Sequence, residues 1–172
     1  MSGKLRTNLF NGLEQIVKKD YSLSEMTWFG LGGSVEYFIR PENTQQLADV
    51  VRICGENNIP LRVLGYGSNL LVRDEGVKGV VVKLDSEEFS RVEYQGQTLI
   101  AGAGADLSKL VRDCVRKGLG GLEALAGIPG SVGGAVRMNA GGNLGDIGSS
   151  VESVRLMDSQ GKIFEKSKPE LS

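Results

Sequence analysis

Leu61-Arg62-Val63-Leu64-Gly65-Tyr66-Gly67-Ser68-Asn69-Leu70-Leu71-Val72 decides how the first half of the chain is read. Two short apolar runs, residues 61–64 and 70–72, read as strands, and a loop with two glycines separates them. Glycines let successive backbone N–H groups point into one concavity, and such nests bind phosphate oxygens without cationic side chains. Ser68 and Asn69 add donors beside them. Upstream, Val35-Glu36-Tyr37-Phe38-Ile39-Arg40 reads as a strand ended by Pro41. Thr44 then suits a helix N-cap, with Leu47, Val50, Val51 and Cys54 on one face and an end near Asn57-Asn58, before Pro60. Downstream, Val80-Val81-Val82 is a further apolar strand, so residues 35–84 form a strand–helix–strand lobe.

The flanks extend this picture. Leu5, Leu9, Leu13, Ile16 and Val17 fall on one face and predict an amphipathic N-terminal helix within residues 1–20. A first lobe then spans 21–84 and a second 85–172. In the second, Gln95-Gly96-Gln97 turns a hairpin, and Asp106 caps a helix carrying Leu107, Leu110, Val111, Cys114 and Val115. Asp158-Ser159-Gln160-Gly161 turns another hairpin, between residues 151–157 and Ile163-Phe164. The fold class is α+β in two lobes. Two more glycine segments lie in the second lobe: Ala101-Gly102-Ala103-Gly104-Ala105, and Gly127-Ile128-Pro129-Gly130-Ser131-Val132-Gly133-Gly134 followed by Asn139-Ala140-Gly141-Gly142.

Composition narrows the chemistry. The chain has 20 Lys+Arg against 21 Asp+Glu, a net charge of −1, which argues against a general nucleic-acid binder. It has no histidine, which removes Ser-His and Cys-His nucleophile pairs and the usual zinc sites, so no metal is expected. Cys54 and Cys114 both fall in helical patterns and read as buried reduced thiols. No apolar run approaches the roughly 20 residues of a membrane span, and the basic N-terminus has no apolar stretch behind it, so a cytoplasmic protein is expected. The chain holds 25 glycines, about twice the usual share of roughly 7%. Many backbone cradles and few acid–base side chains suggest a protein that holds a cofactor and lets it react. Neither a Walker-type loop nor a G-x-G-x-x-G fingerprint opening a helix is present.

Thr27-Trp28-Phe29-Gly30-Leu31-Gly32-Gly33, residues 64–74 and residues 127–141 together resemble the UDP-N-acetylenolpyruvoylglucosamine reductase family, flavoenzymes of peptidoglycan precursor synthesis. The resemblance runs from about Leu23 to the last residue. It implies the two-lobed FAD-binding fold of the vanillyl-alcohol oxidase type. By position, Gly65, Tyr66, Gly67, Ser68, Asn69 and Leu70 would wrap the FAD pyrophosphate. Gly127, Ile128, Gly130, Ser131, Val132, Gly133 and Gly134 would line the flavin side, and Asn139, Ala140 and Gly141 would continue that wall. Gly142-Asn143 stands where many relatives carry an Ala-Tyr pair. Without histidine a histidyl flavin link is excluded, so non-covalent FAD is expected. In the family NADPH is the reductant and a UDP-sugar the substrate. The family's catalytic Arg, Ser and Glu lie beyond Ser172, so the C-terminal substrate domain is expected to be absent, no catalytic residue is assigned and turnover by these residues alone is not expected. Arg73 and Arg137 read as solvated or phosphate-side arginines. The competing readings are a stand-alone flavin- or nucleotide-binding module without reductase activity and a structural or interaction domain on a decayed version of the fold.

Overall fold

The computed structural model describes residues 9–171. Its first lobe is a four-stranded sheet of β1 (Val17–Ser22), β2 (Ser34–Ile39), β3 (Leu61–Leu64) and β4 (Val77–Lys83), in the order β1-β2-β4-β3. β2, β4 and β3 run parallel, and β1 lies antiparallel on the edge. Parallel neighbours cannot be joined by a tight turn. Helix α1 (Thr44–Glu56) therefore returns the chain from β2 to β3, and residues 65–76 return it from β3 to β4.

That second return corrects the expected strand at 70–72. These residues are irregular, and Leu70 and Leu71 are exposed. They are the return leg of a crossover, held along its course by Gly33, whose N–H donates to the Arg73 carbonyl at 3.0 Å. β3 itself is less buried than its apolar residues imply, since Arg62 and Val63 face solvent on the sheet edge.

Side chains alternate across the sheet. Ile39, Val80 and Val82 pack with Val50 and Cys54 of α1 on one face. Phe38, Val81 and Leu64 pack on the other with Leu23, from a 3-10 turn at Leu23–Met26. The cap of α1 is Asn43 rather than Thr44: the Asn43 side chain accepts from the Gln46 N–H at 3.0 Å.

The helix expected within residues 1–20 is also corrected. Residues 1–8, including Leu5, lie outside the described residues. Beyond them, Phe10, Leu13 and Ile16 reach the first core through a turn and a 3-10 segment at Glu14–Ile16, and Val17 then begins β1. Lys18, Lys19 and Asp20 are exposed on this edge, where charge discourages pairing with another chain. Tyr21 stacks on Phe38 with ring centroids 4.5 Å apart.

The second lobe begins with the short helix α2 (Glu87–Ser90) and the hairpin β5 (Val92–Gln95) and β6 (Thr98–Ala101). Helix α3 (Leu107–Arg116) follows, capped by Asp106, whose carboxylate accepts from the Lys109 N–H at 2.7 Å. Next come α4 (Val132–Met138), the two-residue arms β7 (Gly141–Gly142) and β8 (Gly145–Asp146), and the hairpin β9 (Ser153–Met157) and β10 (Ile163–Ser167). Leu107, Val111, Leu125, Ala135 and Ile147 form its core. Helix α4 stands where the sequence reads as a continuous glycine loop.

Each lobe buries one free thiol, Cys54 on α1 and Cys114 on α3. Burial pushes the Cys54 thiol up to about 11. Burial, aided by the Asp113 charge, also raises Cys114, against a smaller opposing effect of Lys117.

Candidate functional site

Gly65 leaves the sheet at the carboxyl end of β3, where parallel α/β sheets place their ligands. Two contacts hold the loop that follows. Lys83, the last residue of β4, donates from Nζ to the Gly65 carbonyl at 2.8 Å. The Trp28 N–H donates to the Gly67 carbonyl at 3.0 Å. Gly67 is buried with φ of 66°, a conformation that favours glycine. A Cβ there would also run into the Met26 carbonyl oxygen and approach the Thr27 Cα to 2.9 Å.

The first and third glycine segments meet. Ser68 Oγ donates to the Pro129 carbonyl at 3.0 Å, and a Cβ on Gly65 would lie 2.6 Å from Ser131 Oγ. The second segment is sewn to the third. The Val132 N–H donates to Ala105 at 2.9 Å, Gly133 to Ala103 at 2.8 Å, and Leu107 back to Gly130 at 3.0 Å. The three segments picked out in the sequence therefore converge on one place.

Their N–H groups fall into two sets. The first-turn amides of α4 are committed: Val132 and Gly133 as above, Gly134 to Ser131 Oγ at 3.2 Å, and Ala135 to the Ser131 carbonyl at 2.9 Å. The N-terminus of α4 is thus spent on the fold, and Val132, Gly133 and Gly134 contribute packing rather than donors. In contrast, the N–H groups of Tyr66, Gly67, Ser68, Asn69 and Leu70 donate to no described residue, nor do those of Gly130 and Ser131. Gly67 and Ser131 are buried while Tyr66, Asn69 and Leu70 are exposed, so the run lies at the surface with donors open to an acceptor from outside. This is the observation a phosphate-bearing cofactor fits.

Ser131 is itself buried and caps α4. Ser131→Ala leaves the Gly134 N–H unpaired and is expected to lower the unfolding free energy by about 1 kcal/mol. Urea denaturation reads this directly, and a variant as stable as the parent would remove the cap from the account.

The remaining members sit apart. Asn139 ends α4 in the left-handed conformation, at φ of 45°. Its side chain donates to Asp146 at 3.2 Å and accepts from the Gly148 N–H at 3.0 Å, which braces the β7–β8 turn. Ala140 packs against the second core, and Gly141 pairs with Asp146. Ile128 packs there too, and its carbonyl accepts from Ser108 Oγ at 3.2 Å. Gly127 lies exposed before it. Arg73 and Arg137 are both exposed.

Lys83 escapes a sequence reading because it looks like the polar end of an apolar strand. The signal is positional: a lysine closing a parallel strand beside a glycine loop. Burial lowers its basicity, while Asp85 opposes and Arg40 assists that shift. The Trp28 strap is carried in the sequence motif at residues 27–33, but its grip on Gly67 is visible only in the structure. Among the described residues no cluster of His, Cys, Asp or Glu could hold a metal ion. No helix among them is long and apolar enough to cross a membrane.

A family model described as "FAD binding domain" matches residues 35–167. A UDP-N-acetylenolpyruvoylglucosamine reductase of Rhodopirellula baltica is 45% identical over 150 residues, covering 87% of this chain and 49% of the relative. The crystal structure of UDP-N-acetylenolpyruvylglucosamine reductase from Thermus caldophilus aligns with a TM-score of 0.76 at 38% identity, over 90% of this chain and 53% of that one. The 6-hydroxy-D-nicotine oxidase of Arthrobacter nicotinovorans, 21% identical, shares the fold with a TM-score of 0.71 over 97% of this chain and 38% of its own. The chain spans about half the length of the curated relatives it matches.

Proposed function

The chain belongs to the FAD-binding domain family, and on that premise we propose that it is the flavin-holding part of a UDP-N-acetylenolpyruvoylglucosamine reductase. The observation that carries this reading is the run of N–H groups at residues 66–70 that have no partner among the described residues, beside those of Gly130 and Ser131. Backbone donors stabilise a pyrophosphate by hydrogen bonds without a cluster of basic side chains, in keeping with a chain of net charge −1. Gly65 and Gly67 let the loop pack closely on Ser131 and on the Met26-Thr27 strap, and the Ser68 bond to Pro129 ties the first segment to the third. Bound FAD would supply hydride transfer from NADPH to the enolpyruvyl group of a UDP-sugar in peptidoglycan precursor synthesis. This chain's residues would hold the cofactor without a histidyl link, since the sequence has no histidine. The setting of this activity is the cytoplasm, where nucleotide-sugar precursors are made.

The test is a flavin fluorescence titration followed by hydrogen exchange. FAD is expected to bind and to protect the amides of residues 66–70, Gly130 and Ser131. Those of Val132, Gly133 and Gly134 are already bonded and are expected to change little. A chain that cannot be loaded with FAD, or protection that omits residues 66–70, would overturn the reading.

A further inference from the structure

We propose that Lys83 is a positioning residue for the flavin pyrophosphate, which fixes the Gly65 peptide so that the Tyr66 N–H is presented to the ligand. The inference rests on the FAD reading above. In a trans peptide the C=O and the following N–H point in opposite directions. Pulling the Gly65 carbonyl onto Lys83 Nζ, at 2.8 Å, therefore turns the Tyr66 N–H away from β4. The Trp28 N–H does the same for the next peptide but one, holding the Gly67 carbonyl and turning the Ser68 N–H away from the strap.

Asp85, two residues on, is engaged by Arg40 and takes no hydrogen bond from Lys83. Asp85 accepts from Arg40 through both oxygens, Nε to Oδ1 at 3.0 Å and the second guanidinium nitrogen to Oδ2 at 2.8 Å. The Lys83 ammonium is half-buried and lies 5.7 Å from the centre of the Tyr66 ring. Among the described residues its only hydrogen-bond acceptor is the Gly65 carbonyl. A positive charge thus remains under the loop, next to the N–H groups that would meet the phosphates.

The experiment compares the parent chain with Lys83→Met and Lys83→Arg, with FAD, ADP and riboflavin as probes. Loss of a charge-assisted hydrogen bond predicts roughly 10- to 100-fold weaker binding of FAD and ADP by Lys83→Met. Riboflavin carries no phosphate, so its binding is expected to stay the same. Lys83→Arg keeps the charge and a donor and is expected to recover most of the loss. Unchanged FAD and ADP binding in Lys83→Met overturns the proposal. So does an equal loss for riboflavin, which would mark general damage to the fold, and so does failure of Lys83→Arg to recover binding. If the parent itself does not bind FAD, the functional reading falls and the proposal with it. FAD binding by the parent with no effect of Lys83→Met overturns the role of Lys83 alone.

Discussion

Gly67→Ala is expected to lower the unfolding free energy by about 3 kcal/mol, from left-handed strain plus overpacking, and to weaken FAD binding at least tenfold. Gly67 sits at φ of 66°, and the Met26 carbonyl occupies the space a Cβ needs. Relief requires moving the Met26-Thr27-Trp28 strap, and with it the bond from the Trp28 N–H that sets the Gly67 peptide. Gly30 is the matched control: its φ is 65°, but nothing lies within 4 Å of its Cβ position. Gly30→Ala incurs the conformational penalty alone, about 1 kcal/mol. Urea denaturation and FAD titration of both variants separate the two effects. Equal losses would mean that the strap yields freely and does not shape the loop.

Leu107→Ala is expected to cost about 2–5 kcal/mol, the range for emptying a packed core position. Leu107 is fully buried among Val111, Leu125, Ala135 and Ile147, and its N–H holds the Gly130 carbonyl. Collapse around the missing side chain would shift α3 against the third glycine segment, so FAD affinity is expected to fall as well. Leu144, 87% exposed in the β7–β8 turn, is the comparison. Leu144→Ala is expected to stay within about 0.5 kcal/mol of the parent. If denaturation midpoints of the two variants coincide, the second core is not what holds this lobe.

The parts legible in the sequence are those whose signal is local. β2, α1 and α3 declare themselves by period, by Pro41 and by the Asp106 cap, and both long hairpins by their turns. Convergence of the first and third glycine segments also follows from the family resemblance, while the place of residues 101–105 beside them does not. What escaped depends on neighbours distant in sequence. β1 is an edge strand whose Lys18, Lys19 and Asp20 hide its alternation, while Leu13, Ile16 and Val17 fall by coincidence at helical spacing. Residues 70–72 are apolar, yet the parallel order of β3 and β4 turns them into a return leg. Two glycines in the first turn of α4 disguise it as a loop, because close packing of Gly133 on Ala103 outweighs helix propensity there. That helix then consumes amides that composition alone would offer to a ligand.

The placement of one sulfur in each lobe gives the protein two internal clocks. Both cysteines are 2% exposed, and the Cys54 thiol, raised to about 11, stays protonated and inert at neutral pH while folded. A bulky disulfide reagent can reach Cys54 only when α1 lifts from its sheet, and Cys114 only when α3 leaves its own core. The labelling rate at each sulfur therefore counts openings of its own lobe. A ligand gripped by both lobes slows the two clocks together, whereas one held by the first lobe alone slows only Cys54.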